Sequence, residues 1–113
     1  MKDFSLPHDH GQQIERFPEQ MPAPEDFQTA AELFKQLGDG NRIRIFWLLC
    51  HCEECVINIS SLMNMSSPAV SHHLRQLKTS GLIVSRRSGK EVYYKAADTE
   101  AAQLLHHIIE KLV

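Results

Sequence analysis

The sequence predicts a mainly α-helical fold with one small β-hairpin, which places it in the α+β class. Apolar residues recur at helical spacing over most of the chain, and helix start and stop signals separate the segments. Between Gly81 and Lys95 the spacing changes to that of two short strands around a turn. The chain has 113 residues, 42% of them apolar and 23% charged, which is typical of one soluble globular domain.

The N-terminal segment differs from the rest of the chain. Residues 1–24 contain four of the five prolines and few large apolar side chains, so we expect a mobile arm with a short helical piece near Gln12 to Phe17. Residues 25–113 are expected to form the folded domain. A proline followed by two acids, Pro24 to Asp26, is typical of a helix start, and this first long helix is predicted to end at Gly38.

Two helices are predicted in the middle of the chain. The second helix should cover Asn41 to Cys50. Its apolar side is expected to consist of Ile43, Phe46, Trp47 and Cys50. Asn58 or Ser60 is expected to cap a short third helix that ends near Met65.

The C-terminal half predicts a fourth helix, the hairpin and a last helix. Ser66, Ser67 and Pro68 form a helix start, and Gly81 is placed to end that helix as its C′ glycine. Its buried stripe is expected to be Val70, Leu74 and Leu77. The strands should run over Leu82–Arg87 and Lys90–Lys95, with a turn at Ser88-Gly89, and the last helix over Thr99–Val113.

A short helix, a tight turn and a polar-faced helix form a helix-turn-helix, and a basic hairpin after them forms a wing. Such a helix fits the major groove of DNA, where small and polar side chains at its N-terminal end reach base edges. Residues 66–95 carry a net charge of +5, whereas residues 1–34 carry −5, although the whole chain is only −2. The candidate DNA-binding residues are Ser66, Ser67, Ala69, Ser71, His72, Arg75, Gln76, Arg86, Arg87 and Lys90.

Composition and motifs argue against several classes of protein. No apolar run approaches the roughly 20 residues of a membrane helix, and the acidic start has no apolar core, so neither a membrane protein nor a secretory signal is expected. All three cysteines fall within six positions, which favours metal or redox chemistry in a reducing cytoplasm over a disulfide scaffold. Hydrolase and thioredoxin signatures are absent, so no enzyme is expected.

Three segments resemble the ArsR/SmtB family of metal-responsive winged-helix repressors: LGDGNRIRIFWLL, ECVINISSLMNMSSPAVSHHLRQLKTSGLI and VSRRSGKEVYYKA. The resemblance extends from about Phe27 to Leu112. It implies a homodimer, built from the first and last helices, that binds operator DNA and releases it when an inducer binds. The apolar side of the last helix suits such an interface, with Leu104, Leu105, Ile108, Ile109 and Leu112 as its residues.

The resemblance points to a thiol-centred inducer site. Metal-sensing relatives often read Glu-Leu-Cys-Val-Cys-Asp before the reading helix; here Cys55 matches the first cysteine, but Ile57 and Asn58 replace the second cysteine and the acid. Two further thiols lie upstream, giving Cys-x-Cys-x2-Cys, a spacing that can converge on zinc, cadmium, lead or arsenite. The first-choice ligands are Cys52, Cys55, Cys50, His8 and His10. Alternatively, Cys50 is a core residue, the arm histidines are only solvated, and His51 is simply the end of its helix.

A second family site lies on the last helix, where an Asp-x-His pair is usual. Asp98 matches the acid, and Glu100 replaces the histidine. A different site across the dimer would use His106, His107 and Glu110, since His107 and Glu110 share a helical face at i,i+3. The second-choice ligands are therefore Asp98, Glu100, His107 and Glu110.

The leading hypothesis is a cytoplasmic homodimeric repressor that a soft or borderline metal ion releases from operator DNA. Two alternatives remain open. One is a similar repressor that responds to thiol oxidation or to a non-metal inducer, and the other is a winged-helix module that docks onto proteins and binds no DNA.

Overall fold

The computed structural model describes residues 6–12 and 17–113. Within these residues the chain forms six helices and three strands. In chain order they are α1 (Phe17–Gln20), α2 (Pro24–Gln36), α3 (Gly40–His51), β1 (Glu54–Cys55), α4 (Val56–Met63), α5 (Ser67–Thr79), β2 (Ile83–Ser88), β3 (Glu91–Ala96) and α6 (Glu100–Leu112). The predicted winged helix-turn-helix is confirmed: α4 and α5 are its two helices, and β2 and β3 are the wing. None of the helices in these two ranges has the length and apolar character needed to cross a membrane.

Contacts divide the chain into two compact units, Met1–Ala31 and Glu32–Val113, and the division falls inside α2. In the first unit, the Asp26 carboxylate accepts a hydrogen bond from the Ala23 backbone at 3.1 Å and so supports the start of α2. The short helix predicted near Gln12 to Phe17 falls largely outside the described residues. The mobility predicted for residues 1–24 stays a prediction.

The second unit is organised around α3. Asp39 caps this helix by accepting a hydrogen bond from the Arg42 backbone N–H at 3.0 Å, which lowers the pKa of the Asp39 carboxyl. The buried side of α3 consists of Ile45, Phe46 and Leu49. The prediction that placed Trp47 on this side was wrong, because Trp47 is exposed and lines an open apolar pocket of about 320 Å³ with Ile109 instead.

A single hydrophobic core joins α3 to α5 (the reading helix), the sheet and α6. The predicted stripe of α5 is confirmed, since Val70, Leu74 and Leu77 are all fully buried. The core consists of Ile45, Phe46, Leu49, Ile59, Val70, Leu74, Leu77, Leu82, Ile83, Ala97, Ala102, Leu105 and Ile109. This core fixes the orientation of α5, because one face of the helix is held inside while the other stays free.

The start of α4 differs from its prediction. The helix begins at Val56 after an extended Cys55, and no side chain caps it. Asn58 is not the cap, because its side chain donates to the Glu54 carboxylate, and Ser60 instead hydrogen-bonds the Met65 carbonyl at the other end of the helix. Asn64 ends α4 in the left-handed conformation, with φ of 54°, which turns the chain into α5.

The wing is the β2–β3 hairpin of a three-stranded sheet in which β3 is the central strand. β2 pairs with β3 in antiparallel register from Ile83 opposite Ala96 to Ser88 opposite Glu91. Gly89 lies in the turn with φ of 62°, a conformation that favours glycine. The sheet order is β1-β3-β2, and the two-residue β1, which the sequence did not predict, pairs Glu54 with Tyr94.

Candidate nucleic-acid interface and the cleft behind it

The N-terminal end of α5 presents a polar surface to solvent. The Ser66 hydroxyl accepts a hydrogen bond from the Ala69 backbone at 3.3 Å, so this serine is the cap that the sequence predicted. Ser66, Ser67, His72 and Arg75 are exposed, while Ala69, Ser71 and Gln76 are half-buried. The exposed residues lie on the side of α5 opposite its core stripe, where a helix in a DNA groove would meet base edges.

The three predicted basic residues of the wing are exposed, but Arg86 has a partner within the chain. Its Nε and Nη2 atoms donate to the two Glu53 oxygens at 2.9 and 2.6 Å, and its guanidinium lies 4.9 Å from the Tyr93 ring centroid. The hydrogen bonds from Arg86 lower the pKa of the Glu53 carboxyl. Arg86 therefore ties the wing to the segment after α3, whereas Arg87 and Lys90 extend the basic surface.

A second polar contact joins the reading helix to the wing. The Lys78 ammonium, near the end of α5, donates to the Ser85 hydroxyl on β2 at 2.6 Å. This contact fixes the base of the hairpin relative to α5, so the helix and the wing present one surface.

Buried polar contacts also connect α3 with the reading helix. His73 is buried, and its Nδ1 atom accepts a hydrogen bond from Arg42 Nε at 3.3 Å, while Arg42 Nη1 donates to the Gln36 side chain at 3.2 Å. Burial lowers the pKa of the His73 imidazole, and the neutral ring suits its role as an acceptor. His73 was not among the predicted site residues, because a histidine next to the apolar stripe of α5 gives no local sign of a partner 31 residues away.

An open cleft of about 350 Å³ lies behind this surface, between the end of α3, the end of β3 and α6. Cys50 and Cys52 both line it. Burial raises the pKa of the half-buried Cys50 thiol to about 11, with a further contribution from the Glu110 charge. The exposed Cys52 thiol donates to the Leu48 carbonyl at 3.4 Å, and desolvation followed by the Glu54 charge raises its pKa. Both thiols are thus favoured in the protonated form.

The third cysteine has a different environment. Cys55 is buried at the junction of β1 and α4 and pairs with Tyr93 across the sheet. Ile57 is exposed where metal-sensing relatives have a second cysteine, and the Asn58 amide that replaces the acid donates to Glu54. The donor set that the resemblance implies here is therefore reduced to one buried thiol, which does not fit the two-thiolate site.

One cluster of metal-ligating side chains is assembled in the part of the chain that the structure describes. His51, His106 and Glu110 bring one ligand atom each within 4.8 Å of the others. Their pairwise distances are 3.1 Å from His51 Nε2 to Glu110 Oε1, 2.9 Å from His106 Nε2 to the same oxygen, and 3.2 Å between the two nitrogens. The hydrogen bond from His106 is the largest factor that lowers the pKa of the Glu110 carboxyl.

Within residues 32–113, the other second-choice ligands do not belong to this cluster. Asp98 accepts a hydrogen bond from the Gln103 side chain at 2.8 Å, and Glu100 is exposed in the first turn of α6. His107 is exposed, and Glu110 contacts His106 at i,i+4 instead of His107 at i,i+3. In the first unit, His8 and His10 are exposed and their rings stack with centroids 6.1 Å apart.

The last helix has two apolar sides. Leu105 and Ile109 are each 5% exposed and belong to the core of the chain itself. The apolar side that the sequence assigned to one dimer interface is therefore divided between a core side and an exposed side. Leu104 is 57% and Leu112 79% exposed, with Ile108 between them on the same face. These three residues form the exposed apolar face of α6.

Comparison with known proteins agrees with this architecture. Residues 39–85 match the family model described as "Bacterial regulatory protein, arsR family". The chain is 33% identical to a transcriptional repressor SmtB homolog from Synechocystis over 91% of this chain and 78% of the relative. It is 36% identical to a cadmium resistance transcriptional regulatory protein CadC homolog from Staphylococcus aureus, over 74% of this chain and 69% of that protein.

A solved structure shows the same fold. It is the homodimeric winged helix-turn-helix DNA-binding domain of a possible ArsR-family regulator from Mycobacterium bovis, with a TM-score of 0.69 and 28% identity. The similarity covers 92% of this chain and 89% of that one. The family match, the relatives and the winged-helix architecture agree, and this chain belongs to the arsR family of bacterial regulatory proteins.

Proposed function

We propose that this protein is a homodimeric transcriptional repressor that binds operator DNA in the cytoplasm and releases it when a soft or borderline metal ion binds. The observation that carries the proposal is the exposed, serine-capped N-terminus of α5 beside a basic wing. Its relatives are named as transcriptional regulators and not as enzymes, which supports a regulatory function.

The contacts with DNA follow from which side chains are exposed. The N-terminal end of α5 enters the major groove with the exposed side chains of Ser66, Ser67 and His72. Ala69 and Ser71 lie beside them at the base edges. Arg75 and Gln76 lie one turn further along and reach bases or the adjacent phosphates. Arg87 and Lys90 contact phosphates next to the wing, a contribution that carries little sequence information but much affinity.

A homodimer would place two such surfaces on one side of DNA. The exposed apolar face of α6 (Leu104, Ile108 and Leu112) is an unfavourable surface for a lone chain in water, and the similar Mycobacterium bovis domain is homodimeric. A two-fold axis would set the reading helices about 34–36 Å apart, on successive major grooves of a palindromic site.

The inducer is proposed to be zinc, cadmium, lead or arsenite. Relatives of this chain are named for resistance to cadmium and to arsenic, and a cleft lined by Cys50 and Cys52 lies next to the segment that Arg86 ties to the wing. Thiolates are the ligands such ions prefer, and we propose Cys55, His8 and His10 as further ligands. Because both cleft thiols are favoured in the protonated form, metal binding would release protons and tighten as the pH rises.

Release of DNA requires only modest coupling. A difference of about 1–3 kcal/mol in DNA affinity between the metal-bound and metal-free dimers changes that affinity about 5- to 150-fold. A restraint near Cys52 acts on Glu53, the next residue, and so on the position of Arg86 in the wing.

The test is fluorescence anisotropy of the reduced protein on DNA from its own upstream region, at fixed salt because phosphate contacts make affinity salt-dependent. Zinc, cadmium, lead and arsenite are titrated separately after chelation. We expect a specific complex that one of these ions dissolves at micromolar concentration or below.

Cysteine variants then locate the site. Both variants, Cys52→Ser and Cys55→Ser, should still bind DNA. Addition of the metal should no longer release DNA from the Cys52→Ser variant. A complex that forms but responds to peroxide and to no metal would make the protein a thiol-oxidation regulator. Failure to bind any promoter DNA would favour the protein-docking module.

A further inference from the structure

The end of α3 and the last two turns of α6 bring two imidazoles and one carboxylate to a common point. His51 is the last residue of α3, and His106 and Glu110 are one turn apart on α6. Their donor atoms form a triangle with edges of 2.9, 3.1 and 3.2 Å. All three side chains belong to one protomer.

This triangle has nearly the size that a tetrahedral cation requires. Bonds of about 2.0–2.1 Å from zinc to nitrogen or oxygen at the tetrahedral angle separate neighbouring ligand atoms by about 3.3 Å. The observed edges are within a few tenths of an ångström of that separation. A ring with its proton on Nε2 can donate to the shared Glu110 oxygen, whereas a ring with its proton on Nδ1 leaves the Nε2 lone pair free for a cation.

The side chains are also held in place before any ion arrives. The Trp47 ring packs on the His51 ring with centroids 4.3 Å apart, and His106 meets His51 edge-on at 4.9 Å. His51 and Glu110 are exposed and His106 is half-buried, so an ion can reach the donors from solvent. Ligands fixed by packing lose little conformational entropy on binding.

We propose that His51, His106 and Glu110 bind a borderline divalent cation of the zinc class within one protomer, joining the end of α3 to α6. The donor set of two imidazoles and one carboxylate suits zinc, cobalt or nickel, and it leaves a fourth position for water. Cys50 and Cys52 flank His51 in the chain, but neither sulfur belongs to the group of converging donor atoms, so the first ligands are nitrogen and oxygen.

Occupancy of this site would restrain α3 at its C-terminal end. The same helix packs on α5 and donates from Arg42 to the buried His73. Metal binding by the triad stands without the proposed function; only its effect on DNA rests on that function.

The test uses Co²⁺ as a spectroscopic substitute for zinc, with the reduced, full-length, metal-free protein and no DNA. Four-coordinate Co²⁺ gives intense visible bands, and thiolate ligation adds a charge-transfer band in the near ultraviolet. We expect the visible bands without the thiolate band, saturation at one Co²⁺ per chain, and displacement by Zn²⁺.

Variants on both helices identify the ligands. His51→Gln, His106→Gln and Glu110→Gln should each weaken Co²⁺ binding by about 100-fold or more, since even residues that only support a ligand contribute about 10- to 100-fold. His107→Gln is the matched control, because it removes an exposed histidine next to His106 and should leave binding unchanged. Two of the three targets are exposed, and thermal unfolding checks that each variant folds.

Three results would overturn the proposal: unchanged Co²⁺ binding in Glu110→Gln and His51→Gln, equal loss in His107→Gln, or a site lost in Cys52→Ser but kept in His106→Gln. The promoter DNA titration is scored separately on the same proteins. A triad that binds Co²⁺ in a protein that does not release DNA would leave this site intact and contradict the proposed function alone.

Discussion

The DNA-reading surface and the corner between α3 and α6 are assembled in different ways. On α5 and at the base of the wing, two polar contacts join residues that are close in sequence: Ser66 caps through Ala69, and Lys78 reaches Ser85 seven residues later. At the corner, His51 meets His106 and Glu110 across 55 and 59 residues. These contacts of the reading surface are therefore specified by local signals, whereas the corner exists only when α6 has packed on α3.

The largest effect should come from the buried side of the reading helix. Leu74→Ala removes a fully buried side chain from the core and should lower the free energy of unfolding by about 2–5 kcal/mol, measured by urea denaturation. Arg75→Ala, the exposed neighbour on the same helix, should change it by less than about 0.5 kcal/mol. Similar losses in the two variants would mean that α5 does not have one buried and one exposed face.

The next effect separates the two regions by function. Arg75→Ala should weaken binding to promoter DNA by about 1–3 kcal/mol, because a cation that contacts a base or phosphate is lost, and should leave Co²⁺ binding unchanged. Glu110→Gln should show the opposite pattern. Its DNA affinity in the absence of metal should be normal, and its Co²⁺ binding should be lost. Anisotropy and Co²⁺ absorbance on both variants check this, and a variant that loses both properties would end the distinction.

A pH effect should arise where α3 meets α5. The pKa of His73 in the folded protein is lowered from its ordinary value of 6.5, so the unfolded chain takes up this proton more readily. The contribution of neutral His73 to the free energy of unfolding is therefore complete above about pH 6.5. This contribution is lost as the pH falls through the folded-state pKa. The free energy of unfolding measured across this range should fall less in His73→Gln than in the natural protein. His107→Gln, which removes an exposed histidine, should keep the natural slope.

The smallest effect concerns the ion pair between the wing and the segment after α3. Arg86 and Glu53 are both solvent-accessible, so Glu53→Gln should leave thermal stability nearly unchanged. The freed guanidinium should make DNA affinity more salt-dependent, by up to about one unit in the slope of log affinity against log salt. An unchanged slope would show that Arg86 lies away from the phosphates.

The features that the sequence predicted are the ones with local causes. Ser66 and Pro68 before an apolar stripe predict α5, and Gly81 and Gly89 mark the end of α5 and the wing turn, where both have positive φ. The start of α4 was misplaced because Cys55 leads into it without a side-chain cap, and β1 was missed because two residues carry no alternation. Nothing near His51 indicated Glu110, since only tertiary packing brings them together. The division of α6 into a core side and an exposed side likewise depends on where α3 lies.

α3 spans 12 residues, or about 18 Å at 1.5 Å per residue, with Arg42 near one end and His51 at the other. A helix keeps its length under small forces, so its two ends cannot move independently. A restraint applied at His51 reaches His73 only if the whole helix tilts or shifts like a rigid lever. The geometry of the DNA-binding surface and the occupancy of the proposed cation site at the corner then both depend on one quantity, the angle of α3 against α6.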